Sequence, residues 1–121
     1  TFSGSTDSTQ YKYNSPGINI QGRGEVAFQI PVPSGSSVTA SIWAQTNNNS
    51  YTPELVLRGI SLYDTSLTTN TDIGTSWSND TFQELSVMTP SPMVKDEVLE
   101  LVISGAANAT SSFSDINIQV R

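Results

Sequence analysis

The chain has 121 residues, a formal net charge of −6 and neither cysteine nor histidine. This length suits a single domain with one core. The five basic residues are scattered along the sequence, which excludes the clustered positive charge that nucleic acid or an anionic membrane surface requires. No apolar run approaches the roughly 20 residues of a membrane-spanning helix.

The composition favours strands over helices. Only 13% of the residues are charged, against about 25% in a typical soluble domain, and Ser, Thr and Asn supply the remaining polarity. Strand surfaces accept Ser and Thr well, whereas helix surfaces usually carry Glu, Lys and Arg. No apolar pattern with helical spacing extends over three turns, so we predict an all-β protein.

The N-terminal third begins with a polar segment, residues 1–9, which we predict to be a loop or the tail of a linker. The rest of the domain, which we assign to residues 1–121 as a single unit, starts with two short strands. They are predicted at Gln10–Tyr13 and Ile18–Gln21, on either side of a turn signal at Asn14–Gly17.

Two longer strands follow. Glu25–Ile30 alternates apolar and polar residues, and the prolines after it permit an extension only at a sheet edge or a strand exit. Ser37–Gln45 has the strongest pattern, in which Val, Ala and Ile alternate with Thr, Ser, Trp43 and Gln45. Because a turn signal stands on each side of it, we predict a central strand whose two faces meet different surroundings.

The second half of the sequence predicts four more strands, at Leu55–Arg58, Phe82–Met88, Val98–Ser104 and Ser112–Val120. The first could continue to Leu62 with a bulge at Gly59. Either face of the second could point inward, whereas apolar residues on both faces of the third favour a central position. Residues 63–77 form the longest irregular region, a candidate functional loop. About eight short strands at regular spacing are typical of a two-sheet sandwich or barrel.

Several of these segments resemble, in order, the jelly-roll carbohydrate-binding modules of families 4 and 9. The resemblance covers Gly24–Val120 and is carried by GEVAFQIPVPSGSSVTASIWAQ, YTPELVLRGISL, SNDTFQELSVMTP, VLELVISG and SSFSDINIQV. It implies an antiparallel β-sandwich with jelly-roll topology. It also implies a calcium ligand at Asp115, although the NxxFExG opening that joins this acid in a calcium site of such modules is absent here.

The resemblance implies a non-catalytic module that binds a glycan, on the outside of a cell or on a virion. The same fold also forms decoration domains of phage capsids and tails, which act through protein–protein contacts. The alternative partner is therefore another protein of a surface assembly, and this alternative predicts a symmetric homo-oligomer or lattice contact.

The sequence offers little for catalysis, and we predict that the chain is not an enzyme. Without histidine or cysteine, a Ser–His–Asp triad and a thiolate nucleophile are both excluded. Glu84, Glu97 and Glu100 could supply the two carboxylates of a glycosidase, or could be solvated strand residues. A loop set of acids and amides could bind calcium or form turns; it comprises Asp64, Asn70, Asp72, Asn79 and Asp80.

Aromatic rings and amides are the groups that a glycan-binding face would use. The candidate platforms are Trp43, Trp77, Tyr51 and Tyr63, and the candidate hydrogen-bonding residues are Gln45, Gln83 and Arg58. If Val38 and Ile42 face the core, Trp43 lies on the opposite surface; the alternative is that Trp43 packs under a loop. Trp77, among Ser and Asn in a loop, is predicted to be the more exposed of the two tryptophans.

Surface exposure discriminates the two functional hypotheses. Two or three coplanar, exposed aromatic rings in a groove favour a glycan. An apolar patch larger than about 400 Å² around Pro31–Pro33 or Pro90–Val94 favours a partner protein.

Overall fold

The structure, a computed structural model, describes residues 9–13, 18–59 and 70–121, the first of these segments in its backbone only. The described residues form nine strands and no helix, so no helix among them could cross a membrane. The strands are β1 (Thr9–Tyr13), β2 (Ile18–Gln21), β3 (Glu25–Val32), β4 (Val38–Thr46), β5 (Glu54–Gly59), β6 (Asn70–Asp72), β7 (Gln83–Met88), β8 (Glu97–Ser104) and β9 (Thr110–Val120).

The strands form two antiparallel sheets that pack face to face. Sheet A has the order β1-β9-β4-β7, and β2 pairs with the other half of β9, so that β1 and β2 together fill one position. Sheet B has the order β3-β8-β5-β6. The chain passes between the sheets at almost every connection, which gives the strand order of a jelly roll. The predicted fold class, an antiparallel β-sandwich of about eight strands with jelly-roll topology, is confirmed.

The core lies between the two inner faces and follows the alternation in the sequence. In β4 the residues at even positions from Val38 to Thr46 are buried, and those between them face outward. In β7, where the sequence left the inner face open, Leu85 and Val87 are buried while Glu84 and Met88 are exposed. The burial of both aliphatic side chains at odd positions decides the orientation of β7 and points its even positions at solvent.

The positions of the edge strand β3 and the central strand β8 in sheet B also agree with the predictions. β3 continues through Pro31 at the edge of sheet B, where a residue without an N–H group leaves no ladder bond unmade. β8 lies between β3 and β5 with apolar side chains on both faces. The expected extension of β5 to Leu62 and the expected tail at residues 1–8 lie outside the described residues.

The prediction that residues 63–77 are irregular is wrong at Asn70–Asp72, which form β6 at the edge of sheet B. Asn70 and Asp72 belong to residue types that are depleted in strands, so this three-residue segment carries no strand signal in the sequence. Their pairing with β5, from Leu55 to Leu57, imposes the extended conformation.

One bulge interrupts the ladder between β4 and β9. Ser41 stands opposite Asn117 and Trp43 opposite Ser114, so that two residues of β9 oppose one of β4. Asp115 is the extra residue and has a positive φ of 56°. The bulge moves the inward residues of β9 from odd positions, such as Phe113, to even positions, such as Ile116.

Candidate functional site

The outer face of sheet A carries an open groove of about 480 Å³. We call it the sheet A groove; its lining comprises Thr39, Ala40, Ser41, Asn70, Ser86, Val87, Met88, Asn117 and Gln119. Almost all of its polar groups are hydroxyls and amides, which both donate and accept hydrogen bonds.

The register arranges the outward side chains of β4, β7 and β9 in rows. In the first row Thr39 stands between Met88 and Gln119. The second row places Ser41 between Ser86 and Asn117, and the third places Trp43 between Glu84 and Ser114. Residues two apart on a strand are separated by about 6.7 Å, so Trp43 stands one row beyond the groove, on the same face.

The exposure of Trp43 decides between the two alternatives that the sequence left open. The side chain is 41% exposed and belongs to the solvent face of β4, whereas its neighbours Ile42 and Ala44 are fully buried. Trp43 is therefore not buried under a loop, and its ring lies on the sheet surface. Gln45 occupies the next outward position of the same strand.

One wall of the groove is built by the edge strand of the other sheet. The Asn70 side-chain oxygen accepts a hydrogen bond from the Met88 N–H at 3.1 Å. Asp72 Oδ2 accepts one from the Ser86 N–H at 2.8 Å, and Asp72 Oδ1 accepts another from Gly74 at 2.9 Å. Asn70 and Asp72 thus satisfy N–H groups of β7, the strand that ends sheet A among the described strands.

Trp77 and Gln83 form a separate cluster. The Trp77 indole packs against the hydrophobic core, and its Nε1–H donates to the Ile73 carbonyl at 2.9 Å. Gln83 bonds both backbone groups of Thr75 through its amide. Gly74 fits between the two, because a Cβ there would lie 2.6 Å from Gln83 Oε1 and 2.8 Å from Trp77 Cζ2. Trp77 is half-buried, so the prediction that it is the more exposed tryptophan is wrong.

The remaining candidates are scattered. Arg58 lies on the outer face of sheet B, where it forms an ion pair and two hydrogen bonds with Glu100. Tyr51 is 39% exposed in the connection from β4 to β5, and its backbone oxygen accepts a bond from the Thr46 hydroxyl. Tyr63 lies outside the described residues. The structure thus places Trp43 and Gln45 on one surface and separates them from the other described candidates.

The three glutamates considered for glycoside hydrolysis do not share a groove. Glu84 is exposed on the outer face of sheet A, Glu100 is paired on the outer face of sheet B, and Glu97 is buried. These positions do not bring any two of them into one catalytic pair.

The structure offers no described cluster that fits a metal. Within 18–59 and 70–121, no group of three or more His, Cys, Asp and Glu side chains converges. Asp115, the acid implied as a calcium ligand, is exposed at the bulge. Of the loop set considered for calcium, Asp72 caps backbone N–H groups and Asp64 lies outside the described residues.

Sequence reasoning identified Trp43 and Gln45 but not the polar residues of the sheet A groove. These residues are small, and each fills an outward position of a predicted strand. The neighbouring apolar residues Leu85 and Ile118 could have identified them. If these two side chains point inward, Ser86 and Asn117 lie on the same face as Trp43. Asn70, on β6, carried no such signal.

Solved structures resemble this fold, whereas no protein-family model and no curated protein matches the sequence. A family 4 carbohydrate-binding module superposes with a TM-score of 0.60 at 16% identity, over 93% of this chain and 72% of that one. The module TmCBM61, solved with β-1,4-galactotriose, gives 0.50 at 9% identity, over 92% and 68%.

A viral protein matches about as well. The VP2 subviral particle of infectious bursal disease virus gives a TM-score of 0.58 at 12% identity, over 93% of this chain and 29% of that one. At these identities the likeness shows the fold. The resemblance to jelly-roll carbohydrate-binding modules is confirmed in that sense, and the capsid protein shows that the same fold serves other roles.

Proposed function

We propose that the chain is a non-catalytic glycan-binding module. The observation that carries this proposal is an exposed tryptophan, Trp43, on the same sheet face as a groove lined by hydroxyl and amide side chains. The likeness to a family 4 module and to a galactotriose-binding module supports it. An extracellular or virion-surface location belongs to the same proposal.

The chemistry of the face suits a neutral sugar chain. The ring of Trp43 offers an apolar surface against which the C–H face of a pyranose can pack. One row away, Ser41 and Ser86 offer hydroxyls that donate to or accept from sugar hydroxyls. Because the groove is open along the sheet, we expect it to bind an internal stretch of a polysaccharide.

The test is binding of purified wild type and Trp43→Ala to a panel of soluble β-linked polysaccharides and oligosaccharides. We expect Trp43→Ala to weaken binding of the recognised glycan by about fivefold or more, since removing an aromatic platform costs about 1–3 kcal/mol. Trp43→Phe, which keeps a smaller ring, should give an intermediate affinity.

Two controls make the result interpretable. Arg58→Ala removes an exposed side chain from the outer face of sheet B and should leave the affinity unchanged. Unfolding of each variant in urea shows whether the fold persists. Wild-type binding that Trp43→Ala does not reduce, or no binding to any glycan, would overturn the proposal.

An assembly domain is the second candidate, favoured by a separate observation. At the end of the sandwich that holds the β3–β4 connection, Val94 is 91% exposed and Val98 is 38% exposed, and Val98 stands opposite the exposed Pro31 on sheet B. This function predicts self-association through that surface. Sedimentation velocity over a dilution series tests it: concentration-dependent dimers that Val98→Lys abolishes support it, and a monomer at every concentration contradicts it.

A further inference from the structure

We propose that Glu84 makes the Trp43 platform selective for neutral over uronic-acid glycans, a specificity that rests on the proposed glycan-binding function. Glu84 stands directly opposite Trp43 in the register of β4 and β7. Cβ atoms of such a pair are about 4.5–5.5 Å apart. Any sugar ring that stacks on Trp43 therefore comes within reach of the Glu84 carboxylate.

The carboxylate is available to a ligand. Glu84 is exposed, and no described residue forms a hydrogen bond or an ion pair with its side chain. Glu100 is the contrasting case, because Arg58 neutralises it on the other sheet. An ionised carboxylate only accepts hydrogen bonds, so Glu84 can bind sugar hydroxyls and cannot bind a second carboxylate.

The surrounding charges reinforce this preference. On β4, β7 and β9 the charged outward residues are Glu84 and Asp115, both acidic. Lys12 stands opposite Asn117 in the register of β1 and β9, and its backbone lies three strands across and one row along from that of Glu84, roughly 16 Å away. A ligand on Trp43 is therefore much closer to the backbone of Glu84, which stands directly opposite Trp43, than to that of Lys12.

The Glu84 carboxylate should raise the affinity for a neutral glycan and lower the affinity for a uronic-acid glycan. A neutral glycan gains a charge-assisted hydrogen bond from a hydroxyl to Glu84, and such a bond is about twice as strong as a neutral one. A uronic acid at the same position places like charges a few ångströms apart, which weakens binding by about fivefold to tenfold at low salt.

Matched ligands separate these effects from differences in sugar shape. The probes are cellohexaose with the β-1,4-glucuronic acid hexamer, and β-1,4-mannohexaose with the β-1,4-mannuronic acid hexamer. Within each pair the main difference is the carboxylate at C6. Affinities are measured by calorimetry at low salt and again at high salt, for wild type, Glu84→Gln, Glu84→Lys and Trp43→Ala.

Wild type should prefer the neutral member of the pair that it recognises by fivefold or more, and high salt should reduce this ratio. Glu84→Gln should bind the neutral hexamer about threefold to tenfold more weakly and bring the ratio close to one. Glu84→Lys should reverse the preference. Glu25→Gln, the same charge change on an exposed strand residue of sheet B, should leave the ratio unchanged.

The two proposals fail in different ways. If Trp43→Ala abolishes binding while Glu84→Gln leaves the ratio of neutral to acidic affinity as in wild type, the role of Glu84 is overturned and the glycan-binding function stands. If no hexamer binds, or if binding does not depend on Trp43, both are overturned. If Glu25→Gln shifts the ratio of neutral to acidic affinity as much as Glu84→Gln does, the selectivity comes from net charge, and the local role of Glu84 is overturned.

Discussion

Asp115 adopts a φ of +56° at the bulge in β9, a conformation that costs most L-residues about 1–2 kcal/mol. Asp and Asn tolerate it better than other residues with a Cβ, because their short side chains can hydrogen-bond locally. The choice of residue at this position is therefore explained by the backbone. A metal-binding role would require further oxygen ligands around the same carboxylate.

Substitutions at Asp115 separate the two roles. Asp115→Ala should lower the free energy of unfolding by about 1 kcal/mol, because alanine keeps the Cβ and loses the polar group. Asp115→Asn and Asp115→Gly should change it by less than about 0.5 kcal/mol, since both residues accept positive φ. Urea unfolding with calcium and with a chelator measures both effects. A calcium-dependent stability that Asp115→Asn removes would assign the carboxylate to a metal instead.

Among the elements, β6 and β7 show how side chains of one sheet protect the edge of the other, since β7 is the last described strand of sheet A. Asn70 and Asp72 belong to sheet B, yet their side chains bond the backbone of β7 in sheet A. A short strand with polar side chains protects the exposed edge of β7 from pairing with another chain. It also fixes the position of the strand that carries Glu84.

Removing the hydrogen bonds of the Asp72 carboxylate should destabilise the fold. Asp72→Ala leaves the N–H groups of Ser86 and Gly74 without their partner, and we expect a loss of about 1–3 kcal/mol in the free energy of unfolding. Asp72→Asn keeps one acceptor oxygen and should lose roughly half as much.

Hydrogen exchange locates the effect of the Asp72 variants. The Ser86 amide should exchange faster in Asp72→Ala, whereas amides that pair β3 with β8 should change only as global stability changes. Asp96→Ala, which removes a single bond to the Ser34 N–H in the β3–β4 connection, is the control. If the Ser86 amide exchanges equally faster in Asp72→Ala and Asp96→Ala, the hydrogen bond from Ser86 to Asp72 has no local role.

The elements also show what the sequence could predict. Strands with an alternating apolar pattern, such as β4 and β8, were predicted to within one residue because a half-buried or central strand imposes that pattern. β6 was missed because its conformation comes from pairing with a distant strand. The bulge at Asp115 left a trace, since the apolar positions of β9 change parity between Phe113 and Ile116.

The candidate site was predictable only in part, for a similar reason. Trp43 was found from alternation within one strand, which is local information. The groove beside it joins three strands and the side chain of Asn70. Strand order and register set that juxtaposition, and no single segment records it. Trp77 was misjudged because loop composition does not reveal that a ring packs on the core.

At the scale of the whole molecule, the jelly roll pairs segments that are far apart in the chain. β3 at Glu25–Val32 pairs with β8 at Glu97–Ser104, and β1 at the start of the described chain pairs with β9 at its end. The entropy of closing these long loops must be overcome before most of the ladder bonds and core contacts form.

This topology predicts slow folding. We expect refolding from urea on a timescale of milliseconds to seconds, as for other all-β domains dominated by distant contacts. Stopped-flow fluorescence of Trp43→Phe measures it, because the remaining Trp77 packs against the core and reports consolidation of the sandwich. Phe113→Ala, which empties a fully buried position in β9, should cost about 3–5 kcal/mol of stability. If the whole change in Trp77 fluorescence occurs within microseconds, the folding transition state does not depend on distant strand pairs, and the prediction is wrong.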